Sequence, residues 1–167
     1  DPNFKSMANL IQDGLDNVVL LKTFSKLYAM AGMRVGFAVG APAIIKMMKD
    51  QVAGEKLNYP GVAAALVSLD DEPFQEYSRA SNLESRKILA SCFDKLGVKY
   101  LPSSTNFMFF ELNEPIRAFQ EKMAARNILV GRPFPPAMNW CRISLGTPQE
   151  MAYVANELMK MRAEGAF

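Results

Sequence analysis

One lysine with two hydroxyls and an arginine nearby is the part of this sequence best suited to chemistry. Lys26 follows Thr23 and Ser25, and Arg34 comes eight residues after the lysine. Lysine is the side chain that forms a stable imine with an aldehyde once it has lost its proton. The hydroxyls could donate to phosphate oxygens, and the arginine could add charge-assisted hydrogen bonds. The group suits a phosphorylated aldehyde, but an ordinary surface turn could hold the same residue types.

Two strands are needed to position this lysine. Residues 17–22 hold a run of aliphatic side chains and predict a buried strand, and residues 33–39 predict a second one. Small residues between and within them would let the backbone fold closely around a ligand: Ala29, Ala31, Gly32 and Gly36. The lysine is therefore expected in a tight turn between two strands.

A second arginine interrupts an apolar segment near the end of the chain. Arg142 lies in Cys141 to Leu145, which predicts a strand. A charge in an apolar strand is costly unless it is paired. Either this side chain points to solvent from one face of a half-buried strand, or it clamps a substrate carboxylate through two parallel hydrogen bonds.

The remaining elements follow from hydrophobic spacing and from helix end signals. Helices are predicted over residues 4–13, 42–51, 61–69, 71–96, 115–127 and 147–162, strands over 98–101, 106–111, 128–130 and 141–145, and loops over 54–60 and 132–139. Gly97 is suited to end the long helix, and Thr147 with Glu150 is suited to cap the last one. The part after Gly97 is therefore predicted to be an α+β sandwich.

Composition excludes several other classes of function. The chain has no histidine, so it cannot build a Ser-His-Asp triad or a histidine-bound metal site. Its two cysteines rule out a disulfide framework and a four-cysteine zinc site, and no metal site is expected. Basic residues number 19 and acidic residues 17, with no basic block, which disfavours a nucleic-acid partner. The sequence has no apolar run of the length that a membrane span needs.

The lysine segment resembles the signature of the fold-type I pyridoxal-phosphate (PLP) aminotransferases of class I/II. In that signature Ser-Lys is followed at a fixed distance by Gly-x-Arg-x-Gly. The matching residues here are Ser25-Lys26 and Gly32-Met33-Arg34-Val35-Gly36. The sequence of this segment is most similar to that of the histidinol-phosphate aminotransferase subfamily. The segment from Arg142 to Gly146 likewise resembles the Arg-x-(Ser/Thr)-x-Gly strand that precedes the last helix in this group.

The resemblance implies an α/β fold of which the chain holds only the C-terminal half. Residues 1–70 would be the tail of the large PLP-binding domain, and residues 71–97 a long bridging helix. Residues 98–167 would form the small α+β C-terminal domain. The other residues that hold the cofactor in this family would precede the chain, so the chain alone is expected to be inactive.

The same resemblance implies the cofactor and its ligands. PLP would be bound covalently by Lys26, and its phosphate would be held by Thr23, Ser25 and Arg34. Lys26 would also move the proton at the substrate α-carbon.

The resemblance further implies which arginines bind substrate and what the enzyme does. Arg142 would bind the α-carboxylate, and Arg132 would be a second arginine near the same end of the substrate, although a solvated loop arginine is an equal alternative there. The intact protein would transfer an amino group between an amino acid and a 2-oxo acid, as a homodimeric, cytoplasmic enzyme of amino-acid biosynthesis.

Three other functions remain open at the level of sequence. The first is a PLP-fold regulatory or sensing domain without transaminase activity. The second is another PLP enzyme, such as a decarboxylase or an acyl-transferring synthase. The third is an inert scaffold without cofactor. The presence of both Arg34 and Arg142 favours transamination over the second, and Lys26 together with both arginines disfavours the third. The first would be discriminated by the sequence before Asp1, where a regulator would carry a helix-turn-helix.

Overall fold

The computed structural model describes residues 3–52 and 57–167, which divide between two compact units, residues 1–78 and 79–167. Within the described ranges the elements are α1 (Ala8–Gln12), β1 (Val19–Thr23), β2 (Gly36–Gly40), α2 (Pro42–Asp50), α3 (Tyr59–Asp70), α4 (Glu72–Leu96), β3 (Phe107–Glu111), α5 (Ile116–Ala124), β4 (Trp140–Ser144) and α6 (Pro148–Ala163). The unit boundary falls inside α4, the helix expected to bridge two domains. The three-part division at residues 70 and 97 stays a prediction.

The first unit is built around an antiparallel pair of strands. β1 pairs with β2 so that Thr23 lies opposite Gly36. A Cβ atom at Gly36 would lie 2.6 Å from the carbonyl oxygen of Lys22, so only glycine allows the strands to approach this closely. The second strand was predicted to begin at Met33 and begins three residues later. Residues 31–33 form a 3₁₀ turn and Arg34 has a φ of +53°, a left-handed conformation that a strand cannot include.

The helices of the first unit agree with prediction except at one end of the chain. α2 begins at Pro42 as expected for a proline in the first turn. α3 covers the predicted helix but begins at Tyr59, inside the predicted loop 54–60, of which residues 54–56 lie outside the described ranges. The predicted helix 4–13 is wrong over half its length, since only Ala8–Gln12 is helical. So short a helix has little intrinsic stability without tertiary packing.

The long helix was predicted correctly at both ends. α4 runs from Glu72 to Leu96, and the side chain of Asp71 accepts a hydrogen bond from the amide of Phe74 at its start. Gly97 follows with a φ of +65°, the left-handed conformation typical of a helix C-terminus. No helix within the described ranges is long and apolar enough to cross a membrane.

The second unit packs its helices on one face of a second antiparallel pair. β3 pairs with β4, and Phe109 lies opposite Arg142. Alternate residues point to opposite faces of a strand, so Phe110 and Cys141 are buried while Phe109 and Arg142 share the other face. The buried core has these members: Leu89, Cys92, Phe93, Met108, Phe110, Leu112, Ile116, Phe119, Met123, Ile128, Cys141, Ile143, Met151, Val154, Leu158 and Met161.

Two of the four strands predicted for this unit do not form. Residues 98–101 lie beside β3 and make two hydrogen bonds with it, but only Tyr100 forms a bridge, and Pro102 follows without an amide donor. Residues 128–130 also form no strand; the adjoining Gly131 donates its amide to the carbonyl of Arg142 at 2.9 Å. The α+β class is confirmed, but the sheet is smaller than expected.

The last helix has the predicted capping box. The Thr147 hydroxyl accepts a hydrogen bond from the Glu150 amide at 3.3 Å, and the Glu150 carboxylate accepts one from the Thr147 amide at 2.7 Å. Pro148 occupies the first helical position, where its missing N–H costs nothing. These contacts fix where α6 begins, immediately after β4.

Candidate functional site

The turn that carries the lysine is fixed at its root by a buried ring. Phe24, directly after β1, is only 4% exposed. Its amide donates to the carbonyl of Val35 and its carbonyl accepts from the amide of Met30, both at 3.1 Å. These two hydrogen bonds tie the segment from Phe24 to Val35 into a closed loop. The residues after Phe24 therefore have a defined position at the end of the strand pair.

Lys26 lies in a tight turn, as the sequence predicts. Its carbonyl accepts a hydrogen bond from the amide of Ala29 at 3.0 Å, and Ala29 has a φ of +53°. The lysine side chain is exposed, and its amine makes no ion pair or hydrogen bond within residues 3–52 and 57–167. An amine in this state is open to a ligand from solution.

Two hydroxyls adjoin the lysine and contact each other. The Thr23 and Ser25 oxygens lie 2.8 Å apart, and the Ser25 amide donates to the Thr23 hydroxyl at 3.1 Å. Thr23 is also within 3.4 Å of the Val35 carbonyl. The structure thus brings together the two hydroxyls predicted to hold a phosphate, three residues and one residue before the predicted covalent lysine.

Arg34 joins this group through the backbone. Its neighbour Val35 accepts hydrogen bonds from Phe24 and Thr23, so the chain at Arg34 passes beside the hydroxyl pair. The exposed guanidinium donates to the carbonyl of Ala31 at 2.7 Å and meets no carboxylate within 4.0 Å in the described part of the chain. Its remaining N–H donors are available to an anion. No contact in the structure joins Arg34 directly to Lys26.

Arg142 is half-buried and lacks an acidic partner. No carboxylate lies within 4.0 Å of it among the described residues, and its Nε is buried without a hydrogen-bond partner there. Its Cζ lies 5.4 Å from the ring centroid of Phe107 and 5.1 Å from that of Phe134. The side chain is therefore not a freely solvated surface arginine, and its charge is unneutralised.

Arg132 shares one of these rings with Arg142. Its Cζ lies 4.4 Å from the centroid of Phe134, and one guanidinium nitrogen donates to the carbonyl of Pro133 at 3.2 Å. Gly131 brings the two arginines together by donating its amide to Arg142. A Cβ at Gly131 would lie 2.5 Å from the carbonyl oxygen of Arg142, so this approach requires glycine.

Sequence reasoning missed Phe134 and Gly131. The sequence feature that could have indicated them is the segment Gly131-Arg132-Pro133-Phe134, in which a glycine and an aromatic residue flank an arginine. Glycine allows close backbone approach and an aromatic face attracts a guanidinium, but neither property identifies the partner. Only the tertiary contacts show that both residues meet Arg142.

Cys141, next to Arg142, is not a candidate for the site. Its side chain points to the opposite face of β4 and is fully buried. Burial in apolar surroundings raises the pKa of this thiol to about 12. The thiol therefore stays protonated, and the candidate chemistry rests on the lysine turn and on the arginine pair, which lie in different units.

The sequence matches the family model for aminotransferase class I and II over residues 1–158. The chain belongs to this aminotransferase family. A histidinol-phosphate aminotransferase from Symbiobacterium thermophilum is 34% identical over 97% of the chain and 45% of its own length. A solved protein from Erwinia carotovora atroseptica, provisionally named as a histidinol-phosphate aminotransferase, is 51% identical with a TM-score of 0.97, over 100% of this chain and 48% of that one.

The similarity to a more distant solved structure shows only that the two proteins have the same fold. The histidinol-phosphate aminotransferase from Sinorhizobium meliloti, solved in complex with pyridoxal-5'-phosphate, is 24% identical, with a TM-score of 0.80 over 90% of this chain and 42% of that one. The chain spans less than half the length of each of these three relatives. Their names give no support to the alternative of a regulatory domain without transaminase activity.

Proposed function

We propose that the chain is the C-terminal portion of a PLP-dependent aminotransferase of the histidinol-phosphate type. The intact enzyme would move an amino group between an amino acid and a 2-oxo acid. The observation that carries the proposal is the open amine of Lys26, directly after Ser25, whose hydroxyl is paired with that of Thr23. Family membership supports it, because the lysine signature and the arginine strand both lie within the matched residues.

The residues of the lysine turn fit a phosphorylated aldehyde. Lys26 Nζ would bind the aldehyde carbon, and the hydroxyls of Thr23 and Ser25 would donate to the phosphate. Arg34 has free N–H donors and no acidic partner in the described ranges, so it would add charge-assisted hydrogen bonds there. When bound, PLP supplies an electron sink for the carbanion formed at the substrate α-carbon.

The residues of this chain would contribute binding and proton transfer. Lys26 Nζ, released when the substrate amine takes its place, would hold and move the proton at the α-carbon. Arg142 would bind the α-carboxylate, because it is an unneutralised guanidinium with its Nε buried in an apolar setting. Arg132, beside the same ring, would be a second contact for the substrate.

We propose this activity for the whole protein and not for the 167-residue chain by itself. The family resemblance also implies a homodimer, small-molecule amino and 2-oxo acid partners, and a cytoplasmic location. These remain proposals about the intact protein.

The experiment that tests the proposal is reductive trapping at Lys26. The full-length protein is incubated with PLP, reduced with borohydride and digested, and the labelled peptide is identified by mass spectrometry. We expect the label on Lys26 and its loss in Lys26→Ala, together with loss of transaminase activity by at least about a thousandfold. Lys22→Ala is the matched control, since Lys22 is also exposed, lies in β1 next to Thr23, and has no assigned role.

Two outcomes would contradict the proposal. One is covalent label of the same yield on another lysine when Lys26 is replaced by alanine. The other is a Lys26→Ala protein that still transfers amino groups at the wild-type rate. Label at Lys26 without any transaminase activity would instead favour the sensing alternative.

A further inference from the structure

Phe134 lies against both arginines of the second unit. Its ring centroid is 4.4 Å from the Cζ of Arg132 and 5.1 Å from the Cζ of Arg142. A guanidinium within about 6 Å of a ring centroid is attracted by the quadrupole of the ring. We propose that Phe134 is a positioning residue that holds both guanidinium groups ready for an anionic substrate group. This inference rests on the proposed function, which assigns the carboxylate to Arg142.

The rings of Phe107 and Phe134 are the contacts that orient the guanidinium of Arg142. Its Nε has no hydrogen-bond partner and no carboxylate lies within 4.0 Å, both within the described residues. A carboxylate could also orient an arginine, but it would occupy the N–H donors and neutralise the charge. Aromatic faces, here Phe107 and Phe134, hold the guanidinium without using its donors. The rings thus leave the N–H donors of Arg142 unpaired within the described residues.

Phe134 is itself held in place. Its carbonyl accepts a hydrogen bond from the amide of Ala137 at 2.8 Å. Its ring meets Phe109 edge to face, with centroids 5.8 Å apart and an interplanar angle of 80°. Phe109 lies directly opposite Arg142 in the strand register. One ring thus links the loop that carries Arg132 to the strand pair that carries Arg142.

A purely space-filling role for Phe134 makes different predictions from this one. Leucine would keep apolar contacts but lacks an aromatic face, whereas tyrosine keeps the face. Trp140 offers a matched control: its ring stacks on Phe109 and lies 5.7 Å from the Lys99 amine, but within residues 3–52 and 57–167 it makes no cation–π contact with either arginine. Replacing Trp140 by leucine therefore removes a ring from the same cluster without removing a cation–π contact to an arginine.

The experiment measures the dissociation constant of the full-length PLP-bound protein for 2-oxoglutarate, a carboxylate probe, by titration calorimetry. We expect Phe134→Leu to raise the constant about tenfold, or about 1.4 kcal/mol, and Phe134→Tyr and Trp140→Leu to stay within about twofold of wild type. The inference is overturned if Phe134→Leu binds like wild type, if Phe134→Tyr is weakened as much, or if Trp140→Leu is weakened as much.

A measurement on the unmutated protein covers the case in which Phe134→Leu fails to fold. In a spectrum of arginine side-chain N–H groups, the Arg142 Nε–H signal is assigned by its absence in Arg142→Lys. We expect it upfield of the exposed arginines and slow to exchange with water, because the adjoining Cζ lies 5.4 and 5.1 Å from the two ring centroids and the Nε is buried. A signal at the exposed position with fast exchange would overturn the inference. This result does not depend on PLP, so it separates failure of the inference from failure of trapping at Lys26.

Discussion

The arginines of this chain differ in whether a carboxylate neutralises their charge. Arg126 is paired with Glu157 and Glu164, whereas Arg142 is half-buried with no acidic partner in the described ranges. A buried charge without a partner is costly for stability. Its presence beside aromatic faces, where an anion would relieve the cost, supports a binding role for Arg142 over a structural one.

The Cys141 thiol gives a prediction at the scale of a single residue. Burial raises its pKa from an ordinary 9.0 to about 12, so the thiolate that reacts with alkylating agents is scarce at pH 8. A raised folded-state pKa means that the associated stability is present below pH 9 and is lost as the pH rises towards 12. In a Cys92→Ala background, we expect no iodoacetamide labelling of native Cys141 within the time that completes labelling in denaturant.

The matched experiment replaces Cys141 by alanine and follows the labelling of Cys92. Burial also raises the pKa of the Cys92 thiol, although the charge of Lys95 opposes the rise. Native labelling of Cys141 at the denatured rate would contradict a buried, protonated thiol.

The elements of the second unit are held by local signals as well as by the core. The capping box at Thr147 and Glu150 is encoded within four residues, and α6 brings Leu158 and Met161 into the buried cluster. The first turn of this helix follows β4 closely in the chain. Changes at the cap are therefore expected to act on the stability of the helix that packs against the core.

Glu150 gives a prediction at the scale of this helix. The hydrogen bond from the Thr147 backbone amide lowers the pKa of the Glu150 carboxyl, with a further contribution from the Thr147 hydroxyl. With a depressed folded-state pKa, its stabilisation is complete above pH 4.5 and is lost as the pH falls through the folded value. We expect Glu150→Gln to lower the melting temperature at pH 7 and to have little effect at pH 2.5.

Glu121→Gln is the control for this experiment. Glu121 is exposed on α5, and its side chain has no hydrogen bond within the described part of the chain. Thermal melts followed by circular dichroism at both pH values compare the two variants. An effect of Glu150→Gln that is equally large at pH 2.5 would show that the carboxylate charge does not act through the cap.

At the scale of the whole molecule, the buried core belongs to the second unit. The large buried cluster consists of residues from α4 onwards, whereas the described buried residues of the first unit are Phe24, Gly61 and Ala65. β1 and β2 have no buried residue, while β3 and β4 bury alternate side chains. Burial of apolar contacts sets how often a region opens, so the two units should differ in local stability.

Hydrogen exchange on the chain tests this difference. We expect the amides of Phe110 and Cys141 to exchange more slowly than those of Leu20 and Lys22, by at least about tenfold after correction for intrinsic rates. The four positions are matched, because each lies inside a two-stranded antiparallel pair. Equal protection of both strand pairs would contradict a stability difference between the units.

Features encoded by neighbouring residues could be predicted from the sequence by itself. The end of α4 at Gly97 and the cap of α6 depend on backbone conformation and side-chain hydrogen bonds within one turn. The lysine turn was also predictable, since Thr23, Ser25 and Lys26 are adjacent along the chain. The aminotransferase resemblance depended on this local spacing, and the family match confirms it.

Features that depend on distant partners were decided only by the tertiary structure. Strands predicted over residues 98–101 and 128–130 do not form, because a strand needs a ladder of partners and not only suitable residues. Arg132 and Arg142 contact one ring, and the chain at Gly131 approaches Arg142 closely; both are tertiary contacts that no spacing rule contains. Local conformation follows from local sequence, whereas a charge acquires its surroundings only when the chain has folded.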